Sequence, residues 1–407
     1  MRHPLGPRRR RPRGAPVAVG VLVTAVAVGL GSPSATASTT TRTAVDRSGT
    51  STGTPFLPPP TGREPVGSTS LHLVDTARQD PWVPERHREL MVSLWYPAQR
   101  PTGPRARYMT PAESEALLTD GGITGVPLDI LSRTRTNSYV DAVPAGRRGG
   151  LPLVVLSPGF SKPRSELTAL AEELASHGYV VAGVEHTYES VATTFPDGRV
   201  TGCLACDVDR GPDGWRAITE GRAADVSFVL DELTGPRPAW TGSALIDRSR
   251  IAMAGQSLGG ASSITTLLSD PRVRAGIDMD GTTYASIPAG GLSRPFLFLG
   301  RAGQYTPDPA NPAAASWQRD WELLTGWKRW LVVSGAVHLS FTDLAVLADQ
   351  VGVDVGAALP GVRGLEIVRG YVRAFFDRHL RHRPQPLLDG PSPRYPEVAF
   401  CSAEGCG

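Results

Sequence analysis

Apolar and polar positions follow two rhythms along this chain. Short runs of consecutive apolar, often β-branched residues occur at 90–96, 151–157, 179–185, 273–279, 295–300 and 330–334. Such runs read as strands buried on both faces. Between them lie segments with helical spacing. In 165–177, Leu167, Leu170, Ala171 and Leu174 share one face, and Gly178 is placed to cap the end. Segments 215–233 and 366–380 also read as helices. Buried strands alternating with amphipathic helices predict an α/β protein, with a mostly parallel central sheet and helices on both faces. Two stretches, 101–150 and 187–212, lack either rhythm. They read as long irregular insertions near the edge of the sheet, expected to wall a pocket.

The N-terminal pattern belongs to neither rhythm. Arg2, Arg8, Arg9, Arg10, Arg11 and Arg13 form a basic segment, followed by an apolar run over 17–30. That run is shorter than the roughly 20 residues a membrane-spanning helix needs. Ala35-Thr-Ala37 then offers a cleavage site, so residues 1–37 read as a signal peptide. Export without a lasting membrane span is the expectation. Residues 38–68 are rich in Ser, Thr, Pro and Gly and read as a disordered linker. Residues 69–407 are then the catalytic domain. The formal charge of +3 belongs to the leader: 1–37 holds six arginines and no acid, leaving 3 − 6 = −3. No nucleic-acid partner is expected of such a chain.

The chemistry concentrates where an apolar run meets Gly255-Gln-Ser257-Leu-Gly259. A strand, a sharp turn carrying one serine and a following helix make a nucleophile elbow, with Gly255 and Gly259 where a side chain would clash. A second match to G-x-S-x-G, Gly49 to Gly53, sits in the linker with no strand before it. An activated serine needs a base, and the base needs an acid. His338, His379 and His382 follow Ser257, and His338 stands in a loop directly after a strand, where a base must be. Asp278 and Asp280 end the strand at 273–279, and Asp280 is nearer its C-terminal end and precedes Gly281. Asp280 is therefore the expected acid and Asp278 a structural group. The amides of Leu258 and Phe160 are the expected oxyanion donors. Glu185 and His186 end a strand at the same edge, and a hydrogen-bonded structural pair is the simpler reading of them.

Four cysteines form two close pairs, Cys203 with Cys206 and Cys401 with Cys406. In an exported chain, local disulfides are the simplest of the three connectivities. The spacings do not suit a four-cysteine zinc site.

These residues carry a family resemblance. The elements are Arg88-Glu-Leu-Met-Val-Ser-Leu-Trp-Tyr-Pro97, Leu156-Ser-Pro-Gly-Phe160, Gly255-Gln-Ser-Leu-Gly-Gly-Ala261, Gly276-Ile-Asp-Met-Asp280 and Gly335-Ala-Val-His-Leu-Ser-Phe-Thr-Asp343. Over most of 70–380 the chain resembles the platelet-activating factor acetylhydrolase group of secreted α/β-hydrolases. The resemblance implies the α/β-hydrolase fold and a nucleophile at Ser257, acid at Asp280, base at His338 and oxyanion donors at Phe160 and Leu258. It implies hydrolysis of lipid esters with short sn-2 acyl chains, with neither metal nor cofactor. Pro158 departs from the family, which often has a histidine there. The alternatives are a polyester, cutinase-like or general carboxylesterase, or a non-catalytic binding protein. An ordered Ser, Asp and His set argues against the last.

Overall fold

The computed structural model describes residues 53–100, 103–208 and 210–407. The expected signal peptide, its cleavage site and residues 38–52 of the expected linker lie outside the described residues.

The strands are β1 (Val66–Gln79), β2 (His87–Pro97), β3 (Arg105–Arg107), β4 (Arg135–Val140), β5 (Leu151–Ser157), β6 (Val180–His186), β7 (Thr193–Thr194), β8 (Val200–Thr201), β9 (Ile246–Gln256), β10 (Val273–Met279), β11 (Phe296–Arg301), β12 (Lys328–Val333), β13 (Val398–Ser402) and β14 (Gly405–Cys406). The helices are α1 (Pro111–Asp120), α2 (Thr168–Ser176), α3 (Pro212–Thr234), α4 (Leu258–Ser269), α5 (Ala302–Tyr305), α6 (Pro312–Leu323), α7 (Asp343–Val351) and α8 (Gly361–Arg381). All strands but β7 and β8 join one sheet, in the order β14-β13-β12-β11-β10-β9-β5-β6-β2-β1-β4-β3. Its centre, β6-β5-β9-β10-β11-β12, is parallel. Antiparallel β2 and β13 flank it. This is the α/β-hydrolase fold.

Alternate residues of the central strands feed two cores. Val154, Leu156, Ala252, Ala254, Leu297 and Leu299 face Leu170 and Leu174 of α2 and Tyr371 and Phe375 of α8. Leu153, Val155, Ile251, Met253, Phe296 and Phe298 face Val226 and Leu230 of α3, Ile264 of α4 and Trp317 of α6. Burial on both faces is why these strands are apolar throughout.

Residues 53–68 depart from the linker expectation. Leu57 is buried against Tyr108, Leu131, Leu347 and Leu365. Arg369 on α8 donates to the carbonyls of Pro58 (2.9 Å) and Pro59 (3.0 Å), and Glu173 on α2 accepts from Thr61 N–H (2.7 Å). Val66 already belongs to β1. Few apolar residues are needed to dock a segment whose backbone groups are satisfied by buried side chains from elsewhere in the chain.

The first insertion is also structured. It contributes β3, α1 and β4, and α1 starts with a capping box between Thr110 and Glu113. Those strands pair beyond β1, at the sheet edge away from β9. Both local disulfides form: Cys203 with Cys206, and Cys401 with Cys406 across the β13–β14 hairpin. Among the described residues, no helix is long and apolar enough to cross a membrane.

Candidate active site

Strand β9 ends at Gln256 and α4 begins at Leu258, so Ser257 occupies a one-residue turn with φ 54°. A non-glycine residue in that region stores strain, here held by Ser257 N–H donating to Met279 O at 2.8 Å. The flanking glycines are required by contact. A Cβ on Gly255 would lie 2.1 Å from the Gly259 carbonyl carbon, and one on Gly259 would lie 2.1 Å from Ser157 O.

Asp280 follows β10, also at positive φ (60°), with its N–H donating to Leu299 O at 3.0 Å. The kink turns its carboxylate toward the loop after β12. Asp280 Oδ2 lies 2.5 Å from His338 Nδ1. Asp280 is buried, whereas the His338 side chain is 42% exposed. Asp278, two residues earlier, stays in the interior and accepts from Gly281 N–H at 2.8 Å. Burial pushes its carboxyl well above the usual carboxylate range, which disfavours the charge that would balance an imidazolium. Of the two aspartates, Asp280 is the one in contact with His338.

With Nδ1–H directed at Asp280, His338 Nε2 is an acceptor. Gln256 Nε2 approaches it at 3.1 Å and also donates to His338 O at 3.2 Å. Among the described hydrogen bonds, none joins Ser257 Oγ to His338. Such bonds are often long in enzymes without substrate. Leu258 N–H starts a helix and has no intrahelical partner. Phe160 N–H likewise has no acceptor among the described residues.

A cavity of about 330 Å³ opens over Ser257. Phe160, Trp215, Tyr284 and Tyr305 line it, with Arg301 and Gln304. Phe160 meets Trp215 edge-on at 5.1 Å, and Trp215 stacks with Tyr284 at 6.1 Å. Arg210, from the second insertion, lies over both Phe160 (4.4 Å) and Trp215 (4.7 Å). That insertion thus reaches the pocket rim, while no described residue of 101–150 lines the cavity.

Arg301 escaped the sequence reading. Its N–H donates to Asp280 Oδ1 (2.8 Å) and its Nη1 to Asp280 Oδ2 (2.5 Å). Trp215, Tyr284 and Gln256 were missed as well. Gln256 stands inside the elbow motif beside Ser257, whereas only the folded chain brings Arg301, Trp215 and Tyr284 to the site, and no local pattern marks those three. Among the described residues, no three His, Cys, Asp or Glu side chains converge as a metal site.

The chain resembles known ester hydrolases over most of its length. A ferulic acid esterase from Streptomyces cinnamoneus superposes with a TM-score of 0.76 at 43% identity, covering 86% of this chain and all of that one. A probable 1-alkyl-2-acetylglycerophosphocholine esterase from Arthroderma benhamiae is 27% identical over 381 residues, 85% of this chain and 93% of its own. The platelet-activating factor acetylhydrolase of Cavia porcellus is 28% identical over 235 residues, 49% of this chain and 50% of its own. The family model for platelet-activating factor acetylhydrolase, isoform II, matches residues 61–199 and 243–355. The chain is a carboxylic ester hydrolase and belongs to the isoform II family of platelet-activating factor acetylhydrolases.

Proposed function

We propose that the chain is an exported serine esterase with Ser257 as nucleophile. His338 Nε2 takes the hydroxyl proton as Ser257 Oγ attacks the acyl carbon. Asp280 fixes the imidazole with Nδ1 protonated and balances the imidazolium. The amides of Phe160 and Leu258 receive the charge that develops on the carbonyl oxygen. The proton then passes to the leaving alcohol. Water, deprotonated by the same histidine, releases the acid. The observation that carries this reading is the 2.5 Å Asp280–His338 contact beside a serine held at positive φ. Export is supported by the leader-like pattern of 1–37 and by the two disulfides.

A cavity of about 330 Å³ suits a compact acyl group better than a long chain. Lipid esters with a short sn-2 acyl chain are the first substrate class. Esters of aromatic acids are a second reading, favoured by the wall of Phe160, Trp215 and Tyr284 and by the likeness to a ferulic acid esterase.

Hydrolysis rates on acyl lengths from acetyl to palmitoyl, and on ethyl ferulate, test both readings with Ser257→Ala alongside. A rate falling steeply with length supports the first class, and preferred turnover of the ferulate supports the second. A flat or rising length profile overturns the compact-acyl reading. Wild-type turnover by Ser257→Ala overturns the nucleophile.

A further inference from the structure

Behind the candidate site lies a second serine–histidine–aspartate chain that no substrate can reach. Ser157 Oγ is 2.9 Å from His186 Nε2, and His186 Nδ1 is 2.9 Å from Asp225 Oδ2. All three are buried, with at most 1% of their surface exposed. Burial, and Arg222 nearby, push the His186 imidazole below its ordinary range, which favours its neutral form. Its Nδ1–H then donates to Asp225, and its Nε2 accepts the Ser157 hydroxyl proton. Against the cost of burial, Arg88 and His186 hold Asp225 far below the usual carboxylate range. Arg88 Nη2 donates to Asp225 at 2.7 Å and lies 3.7 Å from Glu189. Arg222 Nε donates to Glu189 at 2.7 Å, and its Nη1 lies 3.4 Å from Ser157 Oγ. Asp225, His186, Ser157, Arg222, Glu189 and Arg88 thus close a buried ring, to which Asp80 adds a 2.9 Å pair with Arg88 and Arg78 a 2.8 Å pair with Asp225.

The ring meets the candidate site at one point. Ser157 is followed by Pro158, Gly159 and Phe160, and Arg222 reaches past Ser157 to this loop. Its Nη1 donates to Pro158 O at 2.6 Å, and its Nη2 lies 3.5 Å from Gly159 O, which also accepts from Lys162 N–H at 3.4 Å. From the other side, Glu166 accepts from Gly159 N–H at 2.7 Å. The peptide joining Pro158 to Gly159 is therefore gripped at both its oxygen and its N–H. The next peptide carries Gly159 O at one end and Phe160 N–H at the other. A trans peptide is planar with these two groups pointing in opposite directions, and no cis bond is present. Fixing Gly159 O on the Arg222 side fixes the direction of Phe160 N–H on the opposite side.

We propose that Arg222 is a positioning residue for the oxyanion hole, aiming Phe160 N–H by holding the carbonyls of Pro158 and Gly159. The proposal rests on the nucleophile reading above. Arg222 is not among the residues lining the cavity over Ser257, and the amide it aims is called on as the oxyanion forms, so its effect is expected on the transition state more than on ground-state binding.

Two variants test this. Arg222→Lys keeps the charge, but one ammonium cannot span both carbonyls and Glu189. Arg222→Met with Glu189→Gln removes the buried pair together, so no unpaired charge is left. Each is checked for a cooperative melt, then assayed for kcat, KM and inhibition by a trifluoromethyl ketone ester analogue, whose adduct carries an oxyanion. Loss of an oxyanion donor sets the scale: the double variant is expected to lose about 100-fold in kcat and in inhibitor affinity, and Arg222→Lys about 10-fold, with KM changed less than about threefold. A folded variant that keeps kcat and inhibitor affinity within about threefold overturns the proposal, as does a loss confined to KM. Ser257→Ala distinguishes the two claims. If it retains wild-type turnover, the nucleophile reading fails. If it is inactive while both Arg222 variants run at the wild-type rate, the Arg222 proposal fails alone.

Discussion

Replacing Glu166 by glutamine should change how stability depends on pH. Glu166 is completely buried, and burial pushes its carboxyl from 4.5 up to about 7, against the pull of Gly159 N–H, Lys162 and His338. A folded-state value above the unfolded one means that the native chain binds the proton more tightly. Stability from this group is then fully present below about pH 4.5 and is lost as pH rises toward and through about 7. A separation of about 2.5 pH units corresponds to roughly 3 kcal/mol once the group is ionised. Glutamine keeps an oxygen for Gly159 N–H and cannot ionise. Urea unfolding of both proteins at pH 5, 6, 7 and 8, compared at equal slope, gives the difference directly. Glu166→Gln should gain on the wild type by roughly 2.5 kcal/mol across that range, most of it between pH 5 and 7. Glu185 is also pushed to about 7 by burial, despite Arg164, so the wild type alone will show a larger loss. The difference between the two proteins reports Glu166 together with its coupling to Glu185. A difference constant to within about 1 kcal/mol from pH 5 to 8 would refute the reasoning, because it would mean that Glu166 ionises as readily folded as unfolded.

Three further outcomes follow from the geometry. Asp280→Asn should fold, since Asn can still accept from Arg301 N–H, yet lose roughly ten-thousand-fold in kcat, while Asp278→Asn should cost far less; equal losses would reverse the assignment. Gly259→Ala would drive a Cβ to 2.1 Å from Ser157 O, a backbone atom, and should cost on the order of 3 kcal/mol in urea unfolding, whereas Gly221→Ala on α3, with nothing within 4 Å, should gain about 0.5–1 kcal/mol. Trp215→Ala removes the ring packed against Phe160 and Tyr284, and should lower kcat/KM for ethyl ferulate roughly tenfold more than for an acetyl ester; equal loss on both esters would place Trp215 outside the acyl site.

What the chain's own order revealed was whatever rests on local pattern. Strands such as β5 and β10 are apolar throughout because both faces are covered, so their runs stood out, and β10 has the bounds the run predicted. The Ser257 turn was legible because the close approach of Ser157, Gly255 and Gly259 excludes any Cβ, which leaves a glycine signature in the sequence. Asp280 and His338 were picked out by their order after strands, and in the fold they follow β10 and β12 and meet each other. The segments that escaped are short or sparsely apolar: β3 has three residues, and 53–68 docks mainly through Leu57 and its backbone carbonyls. The capping box at Thr110 and Glu113 was the one local sign of α1 within the first insertion.

Tertiary structure alone decided which distant polar groups meet. Arg301 stands 21 residues after Asp280, and Arg222 stands 63 residues after Gly159, yet each donates its guanidinium to that region of the site. Nothing near Arg222 in sequence distinguishes it from a surface arginine on α3. Its meaning comes from burial, which makes unpaired charge costly and so ties Arg222 to Glu189, Ser157 and the carbonyls before Phe160. Hydrophobic periodicity and turn sterics act between near neighbours and are written into the order of residues. Buried electrostatics act between whatever the fold brings within about 3 Å, and only the folded chain determines that.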